Sequence, residues 1–522
     1  MSNLGFQRVY ELLNNFDEIV AERFFLPDTN RGSLRSVESE RSLDEFDLII
    51  FSVSFEFSYF NIPLILQMAG IPLLSSKRNG SCPLVLAGGI ACQINPEPIA
   101  PLIDAFILGD FEAIYQDFAR FLNNHLLLME NDRRGLLKGL LDCCQGVYVP
   151  LFTPEIGQND PPVRSRTILP AIEETPPAIL PHTIVLSESA AFARTFLIEV
   201  ARGCGRGCRF CAAGFVYRPP RPWPMESICN TLSLVKGTKK IGLVGLEFVD
   251  DQGIYQLSQT LLESGYRLGF SSLRADAITP DFAKLVATSG SKTATIAAEA
   301  GSERLRKIIN KNLSQDQLLG CCELLLQAGI RNLKLYFMLG LPFEEDEDVE
   351  ELVRLSKRIL SLMKSAGRKT RSLGSLTVSV STFVPKAWTP FQWAGFIDMK
   401  LLLRRRLIIE KGLRGLSNCK LRLDSPDKAL LQAVLSRGDR NLCRDLLFLR
   451  LQGVGTRKMV KKISPMAEKY LRERAKDELF PWEILTHRVK RDFLYSQWIK
   501  AQRCMETSFC DLGKCKRCGA CR

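Results

Sequence analysis

The fold turns on residues 196–214, FLIEVARGCGRGCRFCAAG. FLIEV is a short apolar run with the composition of a buried strand. Directly after it stand Cys204, Cys208 and Cys211, spaced CxxxCxxC on what reads as the loop leaving that strand. Three thiolates so close together suit a cubane iron–sulfur cluster, which ordinarily takes four protein ligands, so one iron is left open to another molecule. Gly203, Gly205 and Gly207 let the backbone wrap tightly and turn amides toward sulfur, and Phe210 is placed to keep water away. Structural zinc would want a fourth cysteine or histidine nearby, and the local sequence offers none.

Downstream, five more apolar runs are separated by helical segments: IGLVGLEF (241–248), YRLGFSSL (266–273), TATIAAEA (293–300), NLKLYFMLG (332–340) and SLTVSVSTF (375–383). Six βα units of similar length predict an α/β architecture, a partial TIM-type (β/α)6 barrel over residues 189–385. In such barrels the active groups lie at the carboxyl ends of the strands. Upstream, residues 1–145 alternate helical segments with DLIIFSVSF (47–55), NIPLILQMAG (61–70), PLVLAGG (83–89) and DAFILGD (104–110). That spacing predicts a parallel, doubly wound sheet. The proline-rich residues 146–188 read as an interdomain linker. Past Pro385 the strand signal ends, so 386–503 is expected to be mostly helical, followed by a cysteine-rich tail at 504–522.

A chain of 522 residues with 46% apolar and 24% charged content can form several water-soluble cores. The opening MSNLGFQRVY has neither a basic flank nor an apolar signal core, and no stretch of eighteen residues lacks a polar break. A cytoplasmic protein with no membrane partner is expected. Its 17 cysteines then point to metal or redox chemistry, because thiols stay reduced there. Five of them fall in the tail: Cys504, then Cys510, Cys515, Cys518 and Cys521. The last four specify a metal centre, either tetrahedral zinc or a second [4Fe–4S] cluster, and their x2, x2 spacing tilts the balance to iron–sulfur.

The formal charge of +13 is uneven. Residues 401–522 hold 29 lysines and arginines against 13 acidic residues, whereas residues 1–400 hold 41 against 44. Such an excess either attracts a phosphate-rich partner such as RNA or simply solubilises helices.

The CxxxCxxC triplet, the aromatic residue before its last cysteine and its first-loop position resemble the radical S-adenosylmethionine (SAM) superfamily. SSLRADAITP (271–280), AAEAGSERLRKIINK (297–311) and KLYFMLGLPFEEDED (334–348) look like that superfamily's later strands. Over nearly the whole chain the likeness is to bacterial radical SAM proteins carrying a cobalamin-binding-like N-terminal domain. The resemblance implies a [4Fe–4S] cluster on Cys204, Cys208 and Cys211, SAM on the open iron, and an electron donor such as flavodoxin or ferredoxin. It also implies reductive cleavage of SAM to methionine and a 5′-deoxyadenosyl radical.

Several residues inherit expected roles from that likeness. Glu299 would accept hydrogen bonds from the ribose hydroxyls; a surface or helix-capping carboxylate is the alternative. Arg274, oriented by Asp276, would pair with the SAM carboxylate or a substrate anion, or be a structural ion pair. Gly245 and Glu247 would form the turn beside the methionyl amine. Gly340-Leu341-Pro342 would close the adenine side, or be a plain strand-to-helix turn. For cobalamin, residues 1–124 hold no histidine to ligate cobalt, so the first domain either binds it without a protein ligand or is a degenerate scaffold, the reading favoured here. The likeness also implies an apolar strand ahead of MSNLGFQ. The activity implied is modification of an unactivated carbon by methylation, methylthiolation or rearrangement, on an unknown substrate, RNA or protein among the options. A non-catalytic assembly protein that binds RNA or a protein through its basic C-terminal region is the alternative.

Overall fold

The computed structural model describes residues 2–27, 34–125, 132–153, 170–173, 175–245, 252–270, 273–370, 372–511 and 514–521, with backbone alone at 369 and 370. The first sheet runs β1 (Leu48–Ser52), β2 (Leu84–Gly88), β3 (Ala105–Ile107) and β4 (Val147–Tyr148). The first three are parallel and β4 is antiparallel at the edge. Leu84, Leu86, Ala105 and Ile107 pack on the helices Leu4–Leu13, Tyr115–His125 and Arg133–Cys143, while Ile49, Val85, Ala87 and Phe106 face the opposite core with the helix Asn61–Met68. Strands buried on both faces explain why their sequences are continuously apolar rather than alternating.

The second unit begins with β5 (Phe196–Glu199), followed by the two-stranded ribbon β6 (Ala201–Arg202) and β7 (Arg221–Pro222). Then come β8 (Lys240–Val244), β9 (Arg267–Phe270), β10 (Thr293–Glu299), β11 (Asn332–Leu339), β12 (Leu376–Thr382) and β13 (Cys419–Leu423). One sheet has the order β5-β8-β9 and the other β10-β11-β12-β13, all parallel. A parallel bridge from Leu273 to Ile296 links them. The six strands expected from sequence therefore form, and a seventh, β13, corrects the expectation that strands end at Pro385. CKLRL alternates half-buried Cys419, Leu421 and Leu423 with exposed Lys420 and Arg422. A short charged edge strand guards against further pairing, and its charges hide it among basic helices.

Along β10 to β12 the burial alternates strictly. Ile296, Ala298, Leu333, Leu335, Phe337, Val378 and Val380 pack on the helices Pro280–Thr288, Gln315–Gln327 and Asp346–Thr370. Thr295, Ala297, Lys334, Tyr336, Thr377 and Ser379 make up the other, half-buried face, which is the inner wall of the curved sheet.

The C-terminal region forms one core with the first sheet: Tyr59, Ala91, Ile99 and Phe106 join Leu431, Leu446, Trp482 and Trp498. Polar bonds reinforce that seam. Asn95 donates to the carbonyls of Ser436 and Gly438, Arg440 pairs with Glu97 at 2.9 Å, and Lys386 pairs with the buried Glu56. The linker is partly knitted in as well, since Ala171 bridges Gly109 and His182 bridges Ile198. No helix among the described residues is long and apolar enough to cross a membrane.

Candidate active site at the rim of the barrel

Parallel strands bring their carboxyl ends to one rim, so the triplet loop after β5, Gly245 after β8, Arg274 after β9, Glu299 at the end of β10 and Gly340 after β11 share it. Glu247 lies outside the described residues.

The triplet loop is held by its backbone. Gly203 has φ +84°, and a Cβ there would sit 2.6 Å from the Tyr217 carbonyl, so glycine is required. The Cys211 amide donates to the Cys208 carbonyl at 3.0 Å, and the Arg206 amide reaches Cys204 Sγ at 3.5 Å. Burial pushes the Cys208 thiol up to about 11 and also raises Cys211, with Cys204 adding to the rise at Cys211. Cys211 is thus an electrostatic neighbour of both Cys204 and Cys208. Among the described residues no three Cys, His, Asp or Glu side chains converge as they would around one ion. A cubane spaces its thiolates on different irons, and metal replaces the protons that burial favours on these thiols. Three soft donors and no fourth suit a cluster with one open iron.

Glu299 ends β10 at a register shift, with φ +65°. A non-glycine residue in that region is uncommon and must be held by its surroundings. The clamp is Arg306, fully buried, which donates to the carbonyls of Ala300 at 2.9 Å, Gly301 at 3.0 Å and Leu313 at 2.7 Å. Gly301 lets this turn approach the helix Asp346–Thr370, since a Cβ would meet the Leu352 backbone nitrogen at 2.2 Å. The Glu299 carboxylate lies 3.4 Å from Lys311 Nζ, and both side chains are largely buried. Burial disfavours the Lys311 charge, but Glu299, Cys208 and Cys211 outweigh it and raise the ammonium above its ordinary range.

Lys311 is the middle of three working residues. Asn310 donates to the carbonyls of Arg206 and Gly207 at 3.3 and 3.2 Å, and Asn312 donates to Thr507 in the tail at 3.4 Å. Sequence reading missed Asn310, Lys311 and Arg306. The signal was present in the polar cluster NKN so soon after Glu299, with Asn310 and Asn312 both at positive φ.

Arg274 and Asp276 form the expected pair at 2.5 Å, and Asp276 also faces Arg206 of the triplet loop at 3.5 Å. Gly340, φ +84°, donates its amide to Glu344 at 2.8 Å, and Arg405 holds Glu344 at 3.0 Å. Gly340-Leu341-Pro342 is therefore a firmly braced strand-to-helix turn. On the inner wall Lys334 Nζ lies 2.7 Å from Tyr336 Oη, a polar pair that the alternation in NLKLYFML encodes and sequence reading passed over.

The tail cysteines lie beside the triplet. The Cys510 amide donates to the Gly205 carbonyl at 2.9 Å, and Cys515, Cys518 and Cys521 each act electrostatically on Cys510.

A corrinoid would lie outside the carboxyl ends of β1 to β3. There Gly89 meets the Val53 carbonyl and Gly109 the Ala171 carbonyl closely enough that a Cβ would clash at 2.6 and 2.1 Å. Asp110 is taken up by Arg202 at 2.8 Å and Arg221 at 2.5 Å. His487, the histidine on this face, spends Nε2 on the Gln93 carbonyl at 2.9 Å and packs on Trp388. The cleft left between Gln93, Asp110, Tyr217 and His487 is lined by polar groups already spent on one another, Asp110 on its arginines and His487 on Gln93. These residues do not fit that cofactor.

Comparison with known proteins agrees with the rim geometry. Residues 5–150 match the family described as radical SAM proteins, N-terminal, and residues 198–356 match the radical SAM superfamily. An uncharacterized protein of Methanocaldococcus jannaschii is 28% identical over 78% of this chain and 82% of its own length. An uncharacterized methyltransferase of Pyrococcus horikoshii is 23% identical over 53% of this chain and 58% of its own. Among solved structures, the cobalamin-dependent SAM radical enzyme OxsB, with aqua-cobalamin and SAM bound, is 17% identical over 81% of this chain and 63% of that one, with a TM-score of 0.46. The two radical SAM models together cover more than half of the chain, so it belongs to the radical SAM superfamily and is an enzyme of that group, which works with a [4Fe–4S] cluster and SAM.

Proposed function

We propose that Cys204, Cys208 and Cys211 hold the [4Fe–4S] cluster, that SAM takes its open iron, and that the enzyme modifies an unactivated carbon of its substrate. When bound, the cluster and SAM supply one-electron cleavage of a carbon–sulfur bond, for which an external electron donor such as flavodoxin or ferredoxin is needed. The observation that carries this reading is the CxxxCxxC loop at the carboxyl end of β5, tied by Asn310 to the segment after β10 whose Lys311 lies 3.4 Å from Glu299.

The chain's own residues divide the remaining work. Lys311 offsets the negative charge gathered by thiolates and carboxylate. Glu299, fixed by the Arg306 clamp, accepts from the ribose hydroxyls. Arg274, already forked onto Asp276, meets the carboxylate of SAM or of substrate, and Gly245 lies on the methionyl side. Gly340 and Pro342 shape the adenine side through the turn braced by Glu344 and Arg405. Lys334, Tyr336 and Ser379 on the inner wall orient the substrate. The N-terminal sheet serves as scaffold, and no step runs through cobalamin. Among methylation, methylthiolation and rearrangement, likeness to a methyltransferase and to methylthiotransferases supports transfer of a methyl or methylthio group.

Anaerobic reconstitution tests the reading. Wild-type protein should give the reduced-state EPR signal of a [4Fe–4S] centre that SAM perturbs, with 5′-deoxyadenosine or S-adenosylhomocysteine formed on turnover. The Cys204→Ala, Cys208→Ala, Cys211→Ala triple variant should lose the SAM-responsive signal, and an unchanged signal there sinks the assignment.

A further inference from the structure

We propose that Cys510, Cys515, Cys518 and Cys521 hold a second iron–sulfur cluster, and that this cluster pins the C-terminal tail against the triplet loop. The cluster rests on the tail alone; the pinning also rests on the reading of the triplet as a cluster loop.

The four cysteines fall within the short run from Cys510 to Cys521. At Cys515 the Arg517 guanidinium donates to Sγ at 3.2 Å. Arg517 is itself oriented by the Ser508 and Phe509 carbonyls at 3.2 and 3.1 Å. Cys510, Cys515 and Cys518 open on a cavity of about 330 Å3 whose far wall is Arg206, Gly207 and Asn310. Cys504 is not one of the group. It is exposed, six residues upstream, and acts electrostatically on Arg209 and Arg304. Four thiols in one short run at x4, x2 and x2 spacing match the cysteine runs that hold iron–sulfur clusters better than the paired ligands of tetrahedral zinc.

The tail follows the triplet loop over several bonds. Asn310 joins the two, donating to the loop at Arg206 and Gly207 and accepting from the Thr507 amide at 2.7 Å. Arg206 stacks on Phe509 at 3.8 Å, and Cys510 donates to Gly205. On the other side, Lys490 donates its amide to the Cys518 carbonyl at 2.9 Å. Nineteen residues rich in lysine, glycine and cysteine bury little apolar surface of their own, so a covalent or metal staple is what such a segment needs.

Iron, zinc and acid-labile sulfide are measured in the full-length protein after identical anaerobic reconstitution with iron and sulfide. The wild type is expected to carry about twice the iron of Cys515→Ala/Cys518→Ala, because each cubane has the same complement. The triplet triple variant should retain about half the wild-type iron, and Cys504→Ala all of it. If the double variant does not fold, the triple variant decides alone: iron with sulfide supports the tail cluster, and its absence overturns it. Equal iron in wild type and double variant, or zinc at the tail with iron unchanged, also overturns it. Loss of no iron in the triple variant sinks the triplet reading instead and leaves the tail standing. For the pinning, amide exchange at Cys510 should be at least about tenfold slower in loaded protein than in the double variant, and equal exchange refutes it.

Discussion

Replacing Glu299 with glutamine keeps the side chain's shape and the strained backbone beneath it but removes the charge that two ribose hydroxyls would meet. Hydrogen bonds to a charged acceptor contribute about 1.5–3 kcal/mol. At 1.4 kcal/mol per tenfold change, SAM affinity should fall by roughly 10- to 150-fold. The structure bounds the side effects. Arg306 holds the turn through carbonyls of Ala300, Gly301 and Leu313, none of which involves the Glu299 side chain, and Lys311 keeps Cys208 and Cys211 as anionic neighbours once a cluster is in place. Iron content and melting temperature should therefore stay near wild type. The assay is calorimetric titration of SAM into cluster-loaded protein, repeated with an analogue lacking the ribose hydroxyls. Wild type and Glu299→Gln should differ for SAM and converge for the analogue. Equal SAM affinity in the two proteins, or a penalty that persists with the analogue, refutes the ribose role.

Burial lowers the His487 pKa to about 4, so the folded state holds it neutral while the unfolded chain binds a proton below about 6.5. Stability should thus be lost as pH falls from about 6.5 toward 4, by roughly 2 kcal/mol at pH 5, and His487→Gln should flatten that slope in denaturant titrations at pH 7 and pH 5. Gly301→Ala forces a Cβ against the Leu352 and Asp348 backbone, so it should cost about 3 kcal/mol, visible as a lower thermal midpoint. Mixed with excess hydroxocobalamin and passed over a sizing column, the protein should elute free of corrinoid absorbance; stoichiometric retention would overturn the scaffold reading.

How much of this was legible beforehand differs by element. The six strands through Leu376–Thr382 were readable because each is a compact apolar run between helical segments, and the period-2 burial of Asn332–Leu339 follows its sequence letter by letter. Cys419–Leu423 was not, because its alternating lysine and arginine look like helix surface when read in one dimension. At the site, the triplet announced itself by spacing alone. Arg306 did not, since a buried arginine that serves carbonyls has no short-range pattern and depends on a turn that only the fold creates, and Lys311 showed only as the middle of the polar cluster NKN. The proximity of tail and triplet, nearly three hundred residues apart, was likewise invisible.

The basic C-terminal region shows why a charge count needs the fold before it can be assigned a partner. Arg437 is fully buried and donates to the carbonyls of Ala394 and Arg472 at 2.6 and 3.0 Å. Arg405 braces Glu344 and Asp346, Arg440 reaches across to Glu97 and Tyr148, and Arg474 and Arg491 pair with Glu478 and Glu483 while facing the rings of Phe480 and Trp482 or Trp393. Guanidinium groups do this well because a planar fork of donors satisfies several carbonyls at once and stacks on aromatic faces. These arginines are therefore committed to closing the C-terminal region on itself and on the first sheet. The charge that faces solvent includes Arg457, Lys458, Lys461 and Lys462 on the helix Thr456–Leu471, and Lys411, Arg414, Lys420, Arg422, Arg444 and Arg450 elsewhere in the region. A phosphate-rich partner would meet these exposed side chains and not the buried arginines, so charge reversal at Arg457, Lys458, Lys461 and Lys462 would weaken such an attraction while leaving the interior ion pairs in place.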